Sequence, residues 1–189
     1  WLTQDGQVVL DHDGWQRRFP RRWIADVERG RLGDHVPTLA ELYAAVGTTH
    51  PISVDLKDPN TFGPIVAVAR EHEALDRLWI CHPELSLLQE WRDRAPDARL
   101  VNSTSLEHLE RGPERRAAEL AASRIDAVNL RARQWSGGLT TLFHRFDVLC
   151  FGWDAHHERQ LAGLIDMGID AVYSDYSDRM AAVASEYAD

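Results

Sequence analysis

Residues 50–57 read His-Pro-Ile-Ser-Val-Asp-Leu-Lys, an apolar run that ends in an acid and a base. Its length and its β-branched residues are typical of a buried strand, and the turn Asp58-Pro59-Asn60 follows it. From here to the end of the chain, apolar runs alternate with amphipathic helical stretches. Continuous apolar strands separated by helices indicate a parallel sheet.

The predicted strands are 50–57, 77–82, 99–103, 125–130, 147–153 and 170–174. The predicted helices lie near 62–73, 84–95, 106–123, 138–145, 156–168 and 178–187. This order suits a doubly wound sheet or a (β/α)₈ barrel, and no Gly-rich phosphate fingerprint follows any of the strands. The pattern therefore favours an α/β fold of the barrel type.

Polar or aromatic side chains recur at the carboxyl ends of the predicted strands. They are Lys57, His82, Ser103, Asn129, Trp153 and Asp175. In a barrel this rim is where active sites are built. In contrast, His156, His157 and Glu158 are consecutive at the start of a helix and point in three directions, so we expect a surface role for them.

The first part of the chain breaks this rhythm. Residues 1–10 predict a hairpin around Asp5-Gly6, and the stretch from Leu39 to Val46 predicts a helix capped by Thr38. We expect one domain over residues 1–189, with the hairpin and an insertion loop in 1–36 and strand–helix repeats in 37–189.

Composition limits the class of protein. The 189 residues are 44% hydrophobic and 27% charged, which is enough apolar mass for one core. The net charge of −9 argues against nucleic acid, although Arg17, Arg18, Arg21 and Arg22 form a short basic run. No stretch predicts a membrane helix or a signal peptide. Cys81 and Cys150 end apolar runs as small buried residues, and a reducing cytoplasm is the simplest location.

Lys57 is the only lysine among 21 basic residues. A lysine where arginine is otherwise used suggests a compact ammonium group that approaches one oxygen. Asp55 lies two positions earlier, so both side chains leave the same face of the strand. The two residues can serve a metal and a phosphate, or they can form a plain ion pair.

Three motifs follow one another in the first part of the chain. They are Leu2-Thr3-Gln4-Asp5-Gly6-Gln7-Val8-Val9-Leu10-Asp11-His12-Asp13, then Pro37-Thr38-Leu39-Ala40-Glu41-Leu42, then Val54-Asp55-Leu56-Lys57. Two later stretches belong with them, Phe151-Gly152-Trp153 and Gly168-Ile169-Asp170-Ala171-Val172-Tyr173-Ser174-Asp175. In this order the motifs resemble those of the glycerophosphodiester phosphodiesterases, and the resemblance extends over essentially the whole chain.

The resemblance implies metal-dependent hydrolysis of glycerophosphodiesters to sn-glycerol 3-phosphate and an alcohol. It makes His12 a catalytic acid or base, Asp55 a ligand of Ca²⁺ or Mg²⁺ where the family usually has Glu, and Lys57 a catalytic contact of the phosphate. Near this site His82, Asn129 and Trp153 are candidate substrate-binding residues. The small-molecule diester would be the main partner.

The family's H-R-G and E-x-D motifs, which supply a histidine and two metal carboxylates, are absent. We therefore expect an N-terminally incomplete barrel that lacks the first strand–helix unit and part of the second strand, with open edges that could self-associate. Two alternatives are an inactive barrel that binds phosphate esters or another partner, and an enzyme directed at lysophospholipids. The second would need an apolar lip, for which the run from Trp15 to Trp23 is the candidate.

Overall fold

The computed structural model describes residues 1–16 and 20–187, so Arg17, Arg18 and Phe19 of the basic run lie outside the described residues. The strands are β1 Ile52–Asp55, β2 Leu78–His82, β3 Arg99–Ser103, β4 Ala127–Arg131, β5 Leu149–Trp153 and β6 Ala171–Val172. The α-helices are α1 Leu39–Val46, α2 Phe62–Glu71, α3 Leu85–Arg94, α4 Gly112–Ala122, α5 Gly137–His144, α6 Glu158–Asp166 and α7 Ser177–Glu186. The predicted alternation of strands and helices is confirmed. In the described ranges, no helix combines the length and the apolar character that crossing a bilayer requires.

One predicted helix, 106–123, is interrupted. A short 3-10 helix covers Leu106–His108, and α4 begins only at Gly112. Gly112 has a φ of +80°, a left-handed conformation that ends the preceding turn. Pro113 then occupies the first turn of α4, where its missing N–H costs no helical hydrogen bond.

The chain divides into two compact units. The first comprises Trp1–Cys81 and Glu90–Arg99, and the second comprises His82–Gln89 and Leu100–Asp189. In the first unit β1 pairs in parallel with β2. Its core includes Phe62 and Trp91, both almost fully buried, whose rings stack with centroids 4.6 Å apart.

The N-terminal hairpin forms as predicted, as an antiparallel bridge between Leu2 and Val8 with Gly6 at a φ of +77°. A small apolar cluster lies beneath it, made of Val9, Ile24, Val27, Leu32 and Val36. Thr38 caps α1 as expected, since its hydroxyl accepts the Glu41 N–H at 3.0 Å and the Glu41 carboxylate accepts the Thr38 N–H at 2.7 Å.

In the second unit β3, β4, β5 and β6 are parallel and paired in chain order. A Cβ on Gly152 would lie 3.2 Å from a methyl group of Leu164 in α6, so Gly152 faces the helices. The neighbouring residues Phe151 and Trp153 face the other side, because side chains alternate along a strand. Asn129 is paired with Phe151 and Arg131 with Trp153, so these four residues share the face away from α6.

The sequence Ile-Asp-Ala-Val occurs twice in this unit, at 125–128 and 169–172. Each Asp directly precedes a strand, and its carboxylate accepts a hydrogen bond from a backbone N–H of the previous strand. Asp126 accepts the N–H of Leu100, and Asp170 accepts the N–H of Cys150. The repeated sequence therefore forms the same hydrogen bond at the amino ends of two strands.

Candidate active site

His12 lies in the loop after the hairpin, with 88% of its side chain exposed. Its Nδ1 is 2.7 Å from the Asp13 carboxylate. Asp11 shapes the loop, because its carboxylate accepts the N–H groups of Asp13 at 2.9 Å and Gly14 at 3.2 Å. No hydrogen bond to His12 Nε2 is present in the described residues, so that nitrogen is open to solvent.

Asp55 ends β1, and Lys57 follows it by two positions on the same side of the chain. The Lys57 ammonium donates a hydrogen bond to the Asp55 carboxylate at 3.0 Å. Both side chains are largely exposed, at 42% for Lys57 and 55% for Asp55. An ammonium carries three N–H donors, and this contact uses one of them.

The described residues near Asp55 do not supply enough ligands to hold a divalent cation. Ca²⁺ takes six to eight oxygen ligands, and Mg²⁺ also relies on carboxylates. In residues 1–16 and 20–187, no group of three His, Cys, Asp or Glu side chains with converging ligand atoms includes Asp55. The Asp55 carboxylate is paired with Lys57 instead.

His82 and Asn129 are both buried, at 6% and 5% exposure. The His82 ring accepts the Glu84 N–H at 3.1 Å, which orients it within the loop after β2. Asn129 donates through Nδ2 to the Ser103 hydroxyl at 3.1 Å, at the carboxyl end of β3. Its Oδ1 is buried without a hydrogen-bond partner in the described residues, which marks a polar point beneath this end of the sheet.

Trp153 lies at the carboxyl end of β5 with 38% exposure, and the Arg131 guanidinium lies over its ring at 5.3 Å from the centroid. Arg131 Nε also donates to the Asp154 carboxylate. Sequence reasoning missed Arg131 and Asp154. The available signal was that Arg131 lies two positions after Asn129, on the same face of the strand.

His156 differs from its expected surface role. Its Nε2 is 2.9 Å from the Asp154 carboxylate, and its ring meets Tyr176 edge-on at 5.5 Å. Its Nδ1 is buried and has no hydrogen-bond partner within the described part of the chain. Asp154 thus contacts both Arg131 and His156, and the Arg131 hydrogen bond, as the largest cause, holds the pKa of Asp154 below its usual value.

A separate cluster lies at the amino ends of β5 and β6. His144, Cys150 and Asp170 bring three ligand atoms within 4.8 Å of one another. The Asp170 carboxylate already accepts the Cys150 N–H at 2.7 Å and pairs with His144 Nε2 at 2.8 Å. The Asp170 carboxylate is thus engaged by a strand N–H and by His144. Barrel enzymes build their active sites at the opposite, carboxyl ends of the strands.

No protein-family model matches this sequence, and no curated protein sequence matches it. Solved structures do match it. A structure from Agrobacterium tumefaciens, assigned as a glycerophosphoryl diester phosphodiesterase, has a TM-score of 0.85 at 19% identity and covers 100% of this chain and 85% of its own. A glycerophosphodiester phosphodiesterase from Parabacteroides distasonis has a TM-score of 0.77 at 14% identity, covering 99% and 82%.

A phosphodiesterase from Oleispira antarctica, solved in complex with the product sn-glycerol-3-phosphate, has a TM-score of 0.81 at 17% identity and covers 97% of this chain and 82% of its own. These likenesses confirm, at the level of the fold, the resemblance that the motifs predict. The described residues supply six parallel strands, against the eight of a closed barrel. This chain has the α/β fold of the glycerophosphodiester phosphodiesterases of known structure, in the form of an incomplete (β/α)₈-type barrel.

Proposed function

We propose that this chain hydrolyses glycerophosphodiesters to sn-glycerol 3-phosphate and an alcohol. The observation that carries the proposal is the likeness of its whole length to phosphodiesterases, one of them solved with sn-glycerol-3-phosphate. His12, Asp55 and Lys57 also stand in motifs of that family, in the family's order.

Hydrolysis of a phosphodiester requires charge neutralisation on the non-bridging oxygens. Lys57 fits this role because its ammonium is exposed and Asp55 engages one of its donors. The two other N–H donors of the ammonium are available for a phosphate oxygen.

Proton transfer to or from the reacting oxygens falls to His12. When a carboxylate pairs with Nδ1, the proton of the neutral ring stays on Nδ1 and the lone pair stays on Nε2. Asp13 occupies that position at 2.7 Å. His12 Nε2 is thus directed outward as a base, and as an acid once it has taken up a proton.

A requirement for Ca²⁺ or Mg²⁺ stays a prediction of the resemblance. Asp55 is the carboxylate assigned to the cation, and the described residues do not complete a ligand set around it. Titration of the activity with each ion tests this requirement directly.

The direct test is release of sn-glycerol 3-phosphate from sn-glycero-3-phosphoethanolamine, with each cation and with a chelator. We expect turnover by the native chain and a loss of about 10²- to 10⁴-fold in H12N, the range for general acid–base catalysis. H50N is the matched control, since His50 is an exposed histidine just before the amino end of β1. Binding of sn-glycerol 3-phosphate without any turnover would instead favour the inactive binding module.

A second candidate substrate is a lysophospholipid. The rings of Trp15 and Trp23 stack with centroids 3.6 Å apart and remain 37% and 44% exposed. A cavity of about 440 Å³ lies beside Trp15, and its lining includes the apolar residues Ile24 and Leu32 and the polar residues Arg31 and His35. The exposed aromatic pair beside it offers apolar contact area for an acyl chain. Faster hydrolysis of lysophosphatidylcholine than of glycerophosphocholine, lost in W15A, would favour this candidate.

Self-association through strand edges also stays a prediction. The terminal strands are less buried than the central ones, since the residues of β1 are half-buried or exposed and those of β6 are half-buried. Such strands present backbone groups that another copy can pair with. A cytoplasmic location is supported by Cys81 and Cys150, which are both buried and form no disulfide in the described residues.

A further inference from the structure

We propose that Arg131, held by Trp153 and Asp154, forms an anion-binding subsite that selects diesters whose alcohol moiety carries an additional acidic group. The inference rests on the proposed function, because it assigns the subsite to the leaving alcohol of that reaction. It concerns residues of the second unit alone.

The position of Arg131 is that of a ligand-binding residue. It ends β4, and its pairing with Trp153 places it on the sheet face turned away from α6. Asn129 and Phe151 lie on the same face, two residues before Arg131 and Trp153 along their strands. In parallel α/β folds, ligands bind at the carboxyl ends of the strands, where Arg131 and Trp153 stand.

The guanidinium is preorganised for an anion. The Arg131 guanidinium carbon lies over the Trp153 ring, 5.3 Å from its centroid, and Arg131 Nε donates a hydrogen bond to the Asp154 carboxylate. No hydrogen bond to either Nη group is formed within residues 1–16 and 20–187. The Arg131 side chain is 38% exposed, so the Nη edge can be reached from solvent. Two parallel N–H donors in a fixed plane match the two oxygens of a carboxylate or phosphate group.

The position of the Asp154 carboxylate depends on the backbone at that residue. Asp154 has a φ of +66°, a left-handed conformation that Asp adopts more readily than most other residues. This conformation places its carboxylate between Arg131 and His156, whose Nε2 is 2.9 Å away. Sharing the carboxylate between two partners limits its repulsion of an incoming anion.

The same geometry argues against a quaternary ammonium headgroup. Such a cation would need an open aromatic face, and the guanidinium already lies over the Trp153 ring. The ring of Tyr176 is likewise covered by Arg179, at 4.1 Å. Each ring therefore has one face covered by a guanidinium, whose positive charge disfavours a second cation beside it.

The test uses two diesters that differ by one carboxylate, sn-glycero-3-phosphoserine and sn-glycero-3-phosphoethanolamine. We expect the native chain to prefer the serine diester by about 10-fold or more in kcat/KM, as charge-assisted hydrogen bonds imply. The ratio should fall to about 1 in R131Q and stay intermediate in R131K, which keeps the charge but loses the fork. A ratio between two substrates does not move when a variant merely loses folded protein.

R133Q is the control, because it removes an exposed arginine two positions away. It should keep the native ratio. A native preference below about 2-fold, or a preference that survives in R131Q, would overturn the subsite. If neither diester is hydrolysed, the proposed function fails, and the same ratio is then measured between dissociation constants by calorimetry. Tighter binding of the serine diester that is lost in R131Q would support the subsite on its own, and equal or absent binding would overturn it.

Discussion

Asp170 is hydrogen-bonded to both backbone polar groups of Cys150. Its Oδ2 accepts the Cys150 N–H at 2.7 Å, and its own N–H donates to the Cys150 carbonyl at 2.9 Å. Asp126 makes the same pair of contacts with Leu100, at 2.9 Å and 3.0 Å. Cys150 and Leu100 are fully buried, so each carboxylate supplies the hydrogen-bond acceptor for the N–H of a buried strand residue.

Replacing Asp170 by Ala should lower the free energy of unfolding by about 1–3 kcal/mol, the cost of a buried donor left without a partner. D170N should cost less, because the amide oxygen can still accept the Cys150 N–H. Denaturation by urea measures both changes. D93A is the control, since Asp93 is exposed on α3 and should change stability by less than about 0.5 kcal/mol. A D170A variant as stable as D93A would show that the contact contributes nothing.

The thiol of Cys150 predicts a loss of stability in alkaline solution. Burial, with a smaller contribution from the charge of Asp170, raises its pKa from 9.0 to about 12. Below pH 9 the thiol is protonated in both the folded and the unfolded chain, so its contribution is constant. Between pH 9 and about 12 it ionises only in the unfolded chain, which favours unfolding as the pH rises.

The measurement is the free energy of unfolding as a function of pH for the native chain and for C150A. We expect the native value to fall relative to the variant by up to about 1.4 kcal/mol per pH unit across this window. The comparison removes the contributions of the other titrating groups, which both proteins share. Parallel curves for the two proteins would mean that the Cys150 thiol ionises equally in both states.

Much of this fold could be predicted from the sequence because its signals are local. The apolar runs around residues 78–82 and 149–153 are bounded by helical stretches, and buried strands require little else to be recognised. The capping box at Thr38 and Glu41 and the turn at Gly6 also follow from neighbouring residues alone. The break at Gly112 was missed because a single glycine is tolerated within a helical pattern.

The contacts of Arg131 were harder to predict, because they join residues that are distant in sequence. Asp154 meets Arg131 only because β4 and β5 are paired in one register. His82 lies at a strand end, as expected, but its burial against the Glu84 N–H depends on the conformation of the following loop. The sequence alone could place these residues at strand ends. The orientation of their side chains and their contact partners required the structure.

Substitutions of Lys57 can show whether its contact with Asp55 serves the substrate or is only an ion pair. Exposed ion pairs contribute about 0–1 kcal/mol to stability, so neither K57Q nor K57R should unfold the chain. We expect K57Q to lower kcat/KM for glycerophosphodiesters by about 10²-fold or more, because a fixed donor on the phosphate is lost. The kcat/KM of K57R should lie between those of the native chain and K57Q, since arginine keeps the charge but not the compact ammonium.

Arg70 provides the matched control in the same unit. It pairs with Asp97 at 3.1 Å, and the two side chains are 50% and 59% exposed, close to the values for Lys57 and Asp55. R70Q therefore removes an ion pair of the same kind, away from the phosphodiesterase motifs. Steady-state kinetics and urea denaturation of both variants give four numbers. Equal stability with activity lost only in K57Q assigns Lys57 to the substrate, whereas equal activity in both variants would reduce it to a surface ion pair.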